Sequence, residues 1–412
     1  MKAVLLFVAA LAALTSAEYT RYDGYKTYLV TPTNIRDLRM LNYFISVEGV
    51  DFWNQIRGVN DPVSVMVAPN MQKSFVSIME MYNTQYEVLI ENVESTMQAE
   101  RLRQSRAPKV ENGRISFTAY QRYGVIQEYL YSLAEEYPDI VTVEAIGRTY
   151  ENRELTAIRI GTGSSNSRNI LIDGGIHARE WIAPALALYI IQQLVENPEN
   201  RALVENVNWY IIPVLNPDGY EYTHTNTRLW RKTRSRGVSC YGVDGNRNFD
   251  FQWMVVGASS NECSDTFAGT TPFSESETRA FRDYALNIEN IDLYLAVHSY
   301  GQYILYPWGY TSALPDNAPQ LQALGEQVYR AIYAVAGTRY TVGSSTNVLY
   351  AASGASDDWT FAVAGAPLSY TLELPGGGQN GFDLPASRIL SVCQETWEGI
   401  RVFYDYVANN SR

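Results

Sequence analysis

Histidine and cysteine are scarce in this sequence, with three of each among 412 residues. Three cysteines allow at most one intramolecular disulfide, so a framework of several disulfides is excluded. Beyond the N-terminal leader, no stretch approaches the roughly 18 continuous apolar residues that a membrane helix requires. The 32 basic residues are outnumbered by 44 acidic ones, and a net charge of −12 argues against the basic face that a nucleic-acid partner needs. We therefore expect a globular protein that binds neither nucleic acid nor membrane.

The leader has the features of a secretory signal peptide. MKAVLLFVAALAALTSA carries one lysine, an apolar stretch of about a dozen residues, and small residues at Thr15 and Ala17. It is too short to span a membrane. We expect residues 1–17 to be removed and the mature protein to be secreted into an extracellular, oxidising environment.

The three cysteines are interpreted in that oxidising context. Cys240 and Cys263 are close in sequence, whereas Cys393 lies in ILSVCQETW, which has the apolar spacing of a helix. We expect a disulfide between the first two and a buried free thiol at Cys393. The alternative is three buried thiols.

A polar stretch from Gln98 to Arg114 separates two differently patterned regions. Basic residues recur in it with almost no apolar residue between them. One interpretation is an exposed linker that a trypsin-like protease cuts, because nicking concentrates in flexible polar segments. The other is an ordinary solvated helix end and loop. We place the domain boundary at Arg106, which gives domains of residues 18–106 and 107–412.

The two regions predict different folds. Before the boundary, strand-like runs such as YKTYLV and VSVMVAP alternate with helical patterns such as NIRDLRMLNYFIS, which indicates a compact α+β unit. After it, RNILIDGGI, NWYIIPVLN, IDLYLAV and PLSYTLEL are typical of buried strands, and they alternate with helical segments such as WIAPALALYIIQQLVEN. Continuous apolar strands favour an α/β fold whose sheet is covered on both faces.

Two histidines and two glutamates lie at the ends of these strands. His177 and Glu180 belong to GIHAREW, Gly175–Trp181, directly after NILID; His298 follows IDLYLAV, and Glu373 ends SYTLE. Ligands of open α/β sheets bind beyond the carboxyl ends of strands, so these side chains can converge. Catalytic zinc takes nitrogen and oxygen ligands and keeps one of its four positions open. The pattern predicts a zinc site, although His298 alone would be interpreted as a core histidine.

Six motifs occur in the order and approximate spacing of the zinc carboxypeptidases of the pancreatic A/B type: GIHAREW, LWRKTRS, GVDGNRNFD, AVHSYGQYILYPWGY, YAASGASDDW and TLEL. The chain resembles that family over nearly its whole length after the leader, and residues 18–106 resemble the family's activation segment. The resemblance implies a mixed, mostly parallel central sheet flanked by helices. It also implies a preceding inhibitory prodomain that a trypsin-like protease removes.

The resemblance also implies one zinc ion and assigns roles around it. His177, Glu180 and His298 resemble the zinc ligands, a set that carboxypeptidase A uses. Glu373 resembles the general base that takes a proton from the attacking water. Arg231, in LWRK, resembles the residue that holds the developing oxyanion. Without the motif, Arg231 would be interpreted as a surface arginine in a basic run.

Further residues resemble substrate contacts. Asn246 and Arg247 resemble the pair that binds the terminal carboxylate, for which a guanidinium fork is suited. Tyr350 resembles the mobile tyrosine that closes over the bound residue, and Arg179 resembles a contact of the second subsite. Asp244 is placed to orient the first histidine ligand through its other nitrogen.

The sequence departs from the family pattern in two places. The segment between Arg231 and Asn246 is slightly shorter, and one extra residue lies between Asp358 and Glu373. Because Glu373 is the only acid near the end of its strand, its assignment is retained.

Asp357 determines the expected substrate preference. Relative to Tyr350, it falls where the family's specificity pocket has its deepest side chain, which is apolar in A-type and aspartate in B-type members. A buried carboxylate favours a substrate guanidinium or ammonium. We expect a monomeric enzyme that removes Arg and Lys from the C-termini of peptides and proteins. The alternatives are an outward-facing Asp357, an A-type preference for apolar and aromatic residues, or a catalytically silent secreted binding protein.

Overall fold

The structure, a computed structural model, describes residues 19–45, 47–54, 56–106, 110–111, 114–163, 167–377 and 381–410. The expected signal peptide lies outside these residues. The described N-terminal elements are β1 (Lys26–Thr31), α1 (Ile35–Phe44), β2 (Val50–Phe52), β3 (Val63–Val67), α2 (Pro69–Tyr82), β4 (Gln85–Ile90) and α3 (Val93–Arg106).

These elements form the expected α+β unit. Its four strands make an antiparallel sheet in the order β2-β3-β1-β4. The side chain of Asn34 accepts hydrogen bonds from the backbone of Arg36 and Asp37, which fixes the start of α1. Phe44 from α1 and Phe75 from α2 pack against each other, with ring centroids 5.0 Å apart, in the core of this unit.

The polar stretch that follows agrees with the helix-end interpretation rather than with a linker over its first nine residues, because these are the C-terminal part of α3. The helix is held by contacts that its composition does not reveal. Val93 and Met97 are buried, and the carboxylate of Glu94 pairs with Arg101 and accepts a hydrogen bond from the backbone N–H of Tyr22. Residues 107–109 and 112–113 lie outside the described part of the chain.

The C-terminal unit is built around an eight-stranded sheet. Its helices are α4 (Tyr123–Glu136), α5 (Ile182–Val195), α6 (Pro217–Thr225), α7 (Ser276–Asn287), α8 (Ala318–Ala336), α9 (Ser345–Val348), α10 (Ser356–Ala362) and α11 (Ile389–Asn409). The two short strands β5 (Val110–Glu111) and β6 (Arg114–Ile115) pair only with each other. The sheet consists of β7 (Val141–Arg148), β8 (Glu154–Ile160), β9 (Arg168–Gly174), β10 (Val207–Ile212), β11 (Ile291–Ser299), β12 (Tyr303–Tyr306), β13 (Thr341–Ser344) and β14 (Leu368–Leu374).

The sheet is mixed, with the strand order β13-β12-β14-β11-β9-β10-β8-β7. The four central strands β14, β11, β9 and β10 are parallel. Helices cover both faces: Ile170 and Ile172 of β9 belong to one apolar core, and Leu171 between them belongs to the core on the opposite face. Alternate residues of a strand point to opposite faces, which explains why this strand is apolar throughout. The expectation of a doubly covered, mostly parallel sheet is confirmed.

The cysteines follow the expected pairing. Cys240 and Cys263 form a disulfide, and Cys393 is a buried free cysteine in α11. Within the described part of the chain, no helix combines the length and apolar character that crossing a membrane requires.

Candidate metal centre

The parallel strands deliver three of the predicted side chains to one edge of the sheet. His298 on β11 is in register with Glu373 on β14. β9 ends at Gly174, and the chain turns through Gly175 before His177. Gly175 has φ +68°, and a Cβ there would lie 3.0 Å from Pro184, so the turn into α5 requires glycine.

His177, Glu180 and His298 form a buried cluster whose ligand atoms all lie within 4.8 Å of one another. Nδ1 of His177 is 2.8 Å from Oε1 of Glu180, and Nδ1 of His298 is 3.1 Å from Oε2 of the same carboxylate. The two Nδ1 atoms are 3.1 Å apart. Two imidazole nitrogens and one carboxylate that converge in this way match the donor set of a catalytic zinc site.

Asp244 lies behind this cluster and fixes the ring of His177. One carboxylate oxygen is 3.0 Å from Nε2 of His177, and the other accepts a hydrogen bond of 2.8 Å from Arg231. Burial alone would raise the pKa of Asp244, but Arg231 and His177 hold it well below its usual range. The ionised carboxylate therefore keeps a proton on Nε2 and directs Nδ1 toward the metal position.

Glu373 faces the cluster without joining it. Burial raises the pKa of its carboxyl to about 8, His298 and Arg231 oppose the rise, and the Glu180 carboxylate adds to it. A carboxyl group whose pKa lies near neutral pH can both accept and return a proton.

Arg247 and Asn246 form a second polar group beside the cluster. Nε of Arg247 donates to the carbonyl of Gly257 at 2.9 Å, and Nη1 donates to the carbonyl of Asn246 at 2.8 Å. Nη2 is buried and has no hydrogen-bond partner among the described residues. The guanidinium lies 6.0 Å from the ring centroid of Tyr350. One donor of this fork is thus available to an anion.

Asp357 is buried with 4% of its surface exposed, so it does not turn outward. Its Oδ2 accepts hydrogen bonds from Ser345 at 3.3 Å and from Thr371 at 3.1 Å, and its Oδ1 accepts from the backbone N–H of Asp358. Asp358 has a structural role, because it accepts from the backbone N–H groups of Gly309 and the following residue. Burial and the Asp357 charge raise the pKa of Asp358 well above its usual range.

The N-terminal domain covers the mouth of the site. Nη1 of Arg179 is 3.8 Å from Asp51 of the N-terminal domain and 3.6 Å from Asp265. Trp53 packs near Phe382, with ring centroids 6.2 Å apart, and the guanidinium of Arg179 lies over the same Phe382 ring at 4.3 Å. Arg179 is therefore shielded by residues that precede it by more than a hundred positions.

Helix α3 forms a second set of contacts between the N-terminal domain and the C-terminal unit. Glu100 accepts hydrogen bonds from Nε of Arg228 at 2.6 Å and from Nη2 at 3.1 Å, and Arg228 stacks 3.6 Å from the ring centroid of Trp181. The side-chain amide of Gln104 is hydrogen-bonded to both backbone groups of Tyr120. The sequence alone did not identify Glu100, Gln104 and Arg228 as contact residues, because no spacing rule links a helix of one domain to a loop of the other.

Comparison with known proteins agrees with this arrangement. Residues 126–399 match the sequence model of the zinc carboxypeptidases, and residues 28–100 match that of the carboxypeptidase activation peptide. Carboxypeptidase B of Astacus astacus is 47% identical over 298 residues, which cover 71% of this chain and 98% of that protein. Zinc carboxypeptidase A 1 of Drosophila melanogaster is 38% identical over 415 residues, which cover 97% of this chain and 95% of that protein. The crystal structure of carboxypeptidase A from Helicoverpa armigera aligns with a TM-score of 0.89 at 34% identity, covering 95% of this chain and 99% of that one.

Proposed function

The chain belongs to the zinc carboxypeptidase family and carries the family's activation peptide, which makes it the zymogen of a metallocarboxypeptidase, and we propose that the activated enzyme removes C-terminal arginine and lysine. The observation that carries the proposed preference is the buried carboxylate of Asp357. Relatives bear both the A and the B name, so the preference depends on this residue rather than on the family.

We propose that His177, Glu180 and His298 hold one zinc ion. Their converging ligand atoms and the Asp244 contact to His177 support this. When bound, zinc supplies Lewis-acid chemistry that makes a water molecule nucleophilic near neutral pH. Proton transfer, stabilisation of the developing charge and substrate binding are assigned to side chains of the protein.

In the proposed reaction, the Glu373 carboxylate accepts the proton of the attacking water and returns it to the departing amine. Arg231 is placed to stabilise the negative charge that develops on the scissile carbonyl oxygen, because Asp244 holds its guanidinium in position. Asn246 and Arg247 bind the terminal carboxylate, using the available Nη2 donor, and Tyr350 closes over the bound residue. This grip on a free carboxylate limits hydrolysis to the chain end.

We further propose that residues 1–17 are a signal peptide, that residues 18–106 are the inhibitory prodomain, and that residues 107–412 form the catalytic domain. The enzyme would be secreted and monomeric, with peptide and protein C-termini as substrates and a trypsin-like protease as its activator. The contacts of Asp51 and Glu100 with the catalytic domain support an inhibitory role for the N-terminal domain.

The decisive experiment measures kcat/KM of the trypsin-activated protein on otherwise identical peptides that end in Arg, Lys, Leu or Phe. We expect Arg and Lys to be preferred, and Asp357→Ile to reduce the preference by about 100-fold or more, because an unpaired buried polar group discriminates strongly. Asp405→Asn, a change at an exposed residue of α11, is the control. Equal cleavage of Arg-ending and Phe-ending peptides by the unmutated enzyme would instead support the A-type preference.

A further inference from the structure

Asp173 is a buried carboxyl group to which the proposed mechanism assigns no role. It lies on β9 with no exposed surface. The hydroxyl of Tyr294 donates a hydrogen bond of 2.5 Å to its Oδ2, and its Oδ1 has no hydrogen-bond partner among the described residues. A buried carboxylate with a vacant acceptor is costly, so its place in the sheet calls for an explanation.

The register of the sheet places Asp173 in one row with a residue that contacts Asp357. Asp173 on β9 is paired with Ala296 on β11, and Ala296 is paired with Thr371 on β14. Residues in register on adjacent strands share a face, and two strand spacings amount to about 10 Å between the outer Cα atoms. Ala296 contributes only a methyl group between them. Thr371 donates to Asp357, so the two carboxyl groups flank one short row of small side chains.

The Tyr294 side chain connects this row to α10. Tyr294 lies two residues before Ala296 on β11 and therefore points to the same face of the sheet. Its ring is in the same apolar core as Trp359 of α10, the helix that carries Asp357. Asp173, Tyr294 and Asp357 thus occupy one layer, between the sheet and α10.

The charges of the two carboxyl groups interact through this layer. Burial raises the pKa of Asp173 to about 6; Tyr294 and His298 oppose the rise, and Asp357 adds to it. The hydrogen bond from the Tyr294 hydroxyl favours the ionised form of this carboxyl. Because the layer excludes water, a charge there acts over a longer distance than it would in solvent.

Resting on the preference proposed above, we propose that Asp173 is a second specificity-determining carboxylate, which favours a cationic substrate side chain in the Asp357 pocket from behind its wall. Asp357 already accepts three hydrogen bonds from the protein, which disperse part of its charge. Asp173 adds negative potential that an arginine or lysine side chain feels and an apolar side chain does not. The residue acts through the field of the pocket rather than by contact.

Asp173→Asn tests this inference, because the amide keeps the shape and an acceptor for Tyr294 while it removes the charge. We expect kcat/KM for an Arg-ending peptide to fall by about tenfold, mainly through KM, as an interaction of two charges at an effective dielectric constant of about 20 permits. The value for a Phe-ending peptide should not change. Binding of free arginine, measured by calorimetry, should weaken by a similar factor.

Glu277→Gln is the matched control. Glu277 on α7 has 2% of its surface exposed, and burial raises its pKa to about 8, but it does not belong to the row beside the pocket. This substitution controls for the structural effect of placing an amide at a buried carboxyl position, and it should leave the ratio of the two substrates unchanged. Zinc content and thermal unfolding, measured for both variants, establish that each is folded and loaded.

The outcomes separate this inference from the proposed function. If the unmutated enzyme does not prefer Arg, both fall. If it does, and Asp173→Asn keeps the full preference or lowers both substrates equally, only the role of Asp173 falls. Should Asp173→Asn fail to fold, Tyr294→Phe removes the donor that favours the ionised carboxyl, and a smaller loss of Arg preference is expected; an unchanged ratio would overturn the inference.

Discussion

At the scale of single residues, Glu373 and His177 differ in what their removal should cost. Glu373→Gln keeps the side-chain shape but cannot accept a proton, so we expect zinc to remain bound and kcat to fall by at least about 100-fold, within the usual range for a general base. His177→Ala removes a proposed zinc ligand, so zinc and activity should both be lost. Atomic absorption and kcat on an Arg-ending peptide measure the two effects. Near-normal kcat of Glu373→Gln with metal bound would contradict the assignment of the base.

The residues of the site differ in how far the sequence reveals them. His177 and Glu180 are recognisable because they share one strand-to-helix turn, and His298 and Glu373 because each lies at the end of an apolar strand. The hydrogen bonds of Asp357 could not be predicted. Its two side-chain donors are Ser345, which begins α9, and Thr371 on β14. No local pattern places the start of α9 beside β14, which begins more than twenty residues further along the chain.

At the scale of elements, α3 shows where pattern reading fails. Its last residues are polar and basic, and such composition is typical both of a linker and of a solvated helix end. Glutamate, arginine, leucine and glutamine have high helix propensity, and the contacts of Glu100 and Gln104 with the catalytic domain further favour the helix. The apolar elements had no such ambiguity: β9, β11 and α5 lie where their hydrophobic runs predict them.

The ion pair on α3 predicts how long the cut N-terminal domain stays bound. The side chains of Glu100 and Arg228 are only 11% and 3% exposed, and removal of one partner of a buried pair costs about 3–5 kcal/mol. We therefore expect Glu100→Gln to release the cut domain faster and activity to appear sooner after trypsin treatment. Activity and size-exclusion profiles after cleavage measure this.

Glu91→Gln is the control for that experiment. Glu91 pairs with Lys26 within the N-terminal domain, and its side chain is 73% exposed, so the pair contributes little to stability. Identical time courses for the unmutated protein and Glu100→Gln would show that the α3 ion pair does not retain the domain.

At the scale of the whole molecule, His224 couples folding to pH. It is the one histidine outside the cluster of His177, Glu180 and His298. Its ring stacks on Trp181, with ring centroids 4.0 Å apart and an interplanar angle of 6°. Burial lowers its pKa well below the ordinary value, and Arg122 and Arg228 lower it further. Below about pH 6.5, His224 therefore binds a proton in the unfolded state but stays neutral in the folded state.

This difference should reduce the free energy of unfolding by about 1.4 kcal/mol for each pH unit below 6.5. His224→Phe keeps an aromatic ring against Trp181 but does not titrate. We expect the Tm of the variant, relative to the unmutated protein, to rise as the pH is lowered from 8 to 5, since all other titrating groups are common to both. A difference in Tm that stays constant over this range would contradict the role of His224.

The basic residues of α3 differ in how accessible they are to an activating protease. Arg101 pairs with Glu94 and lies over the ring of Tyr19 at 5.2 Å, whereas Arg106 is exposed at the end of the helix. A protease must bind an extended segment, which a helix end provides more readily than a helix interior. Cleavage after Arg106, or after a nearby basic residue beyond it, is therefore favoured.

The intact chain should be nearly inactive until that cut is made. Asp51 meets Arg179 at the mouth of the site, and Arg57 donates a hydrogen bond of 2.5 Å to Tyr303, so the N-terminal domain lies across the approach of a peptide. Because the N-terminal domain is covalently attached to the catalytic domain, it acts as an inhibitor at an effective concentration of about millimolar. We therefore expect the uncut chain to hydrolyse a short Arg-ending peptide at least tenfold more slowly than the trypsin-cut enzyme. Arg106→Gln should delay activation by trypsin without changing the final activity. Full activity of the uncut chain would show that the N-terminal domain is not inhibitory, whatever its contacts.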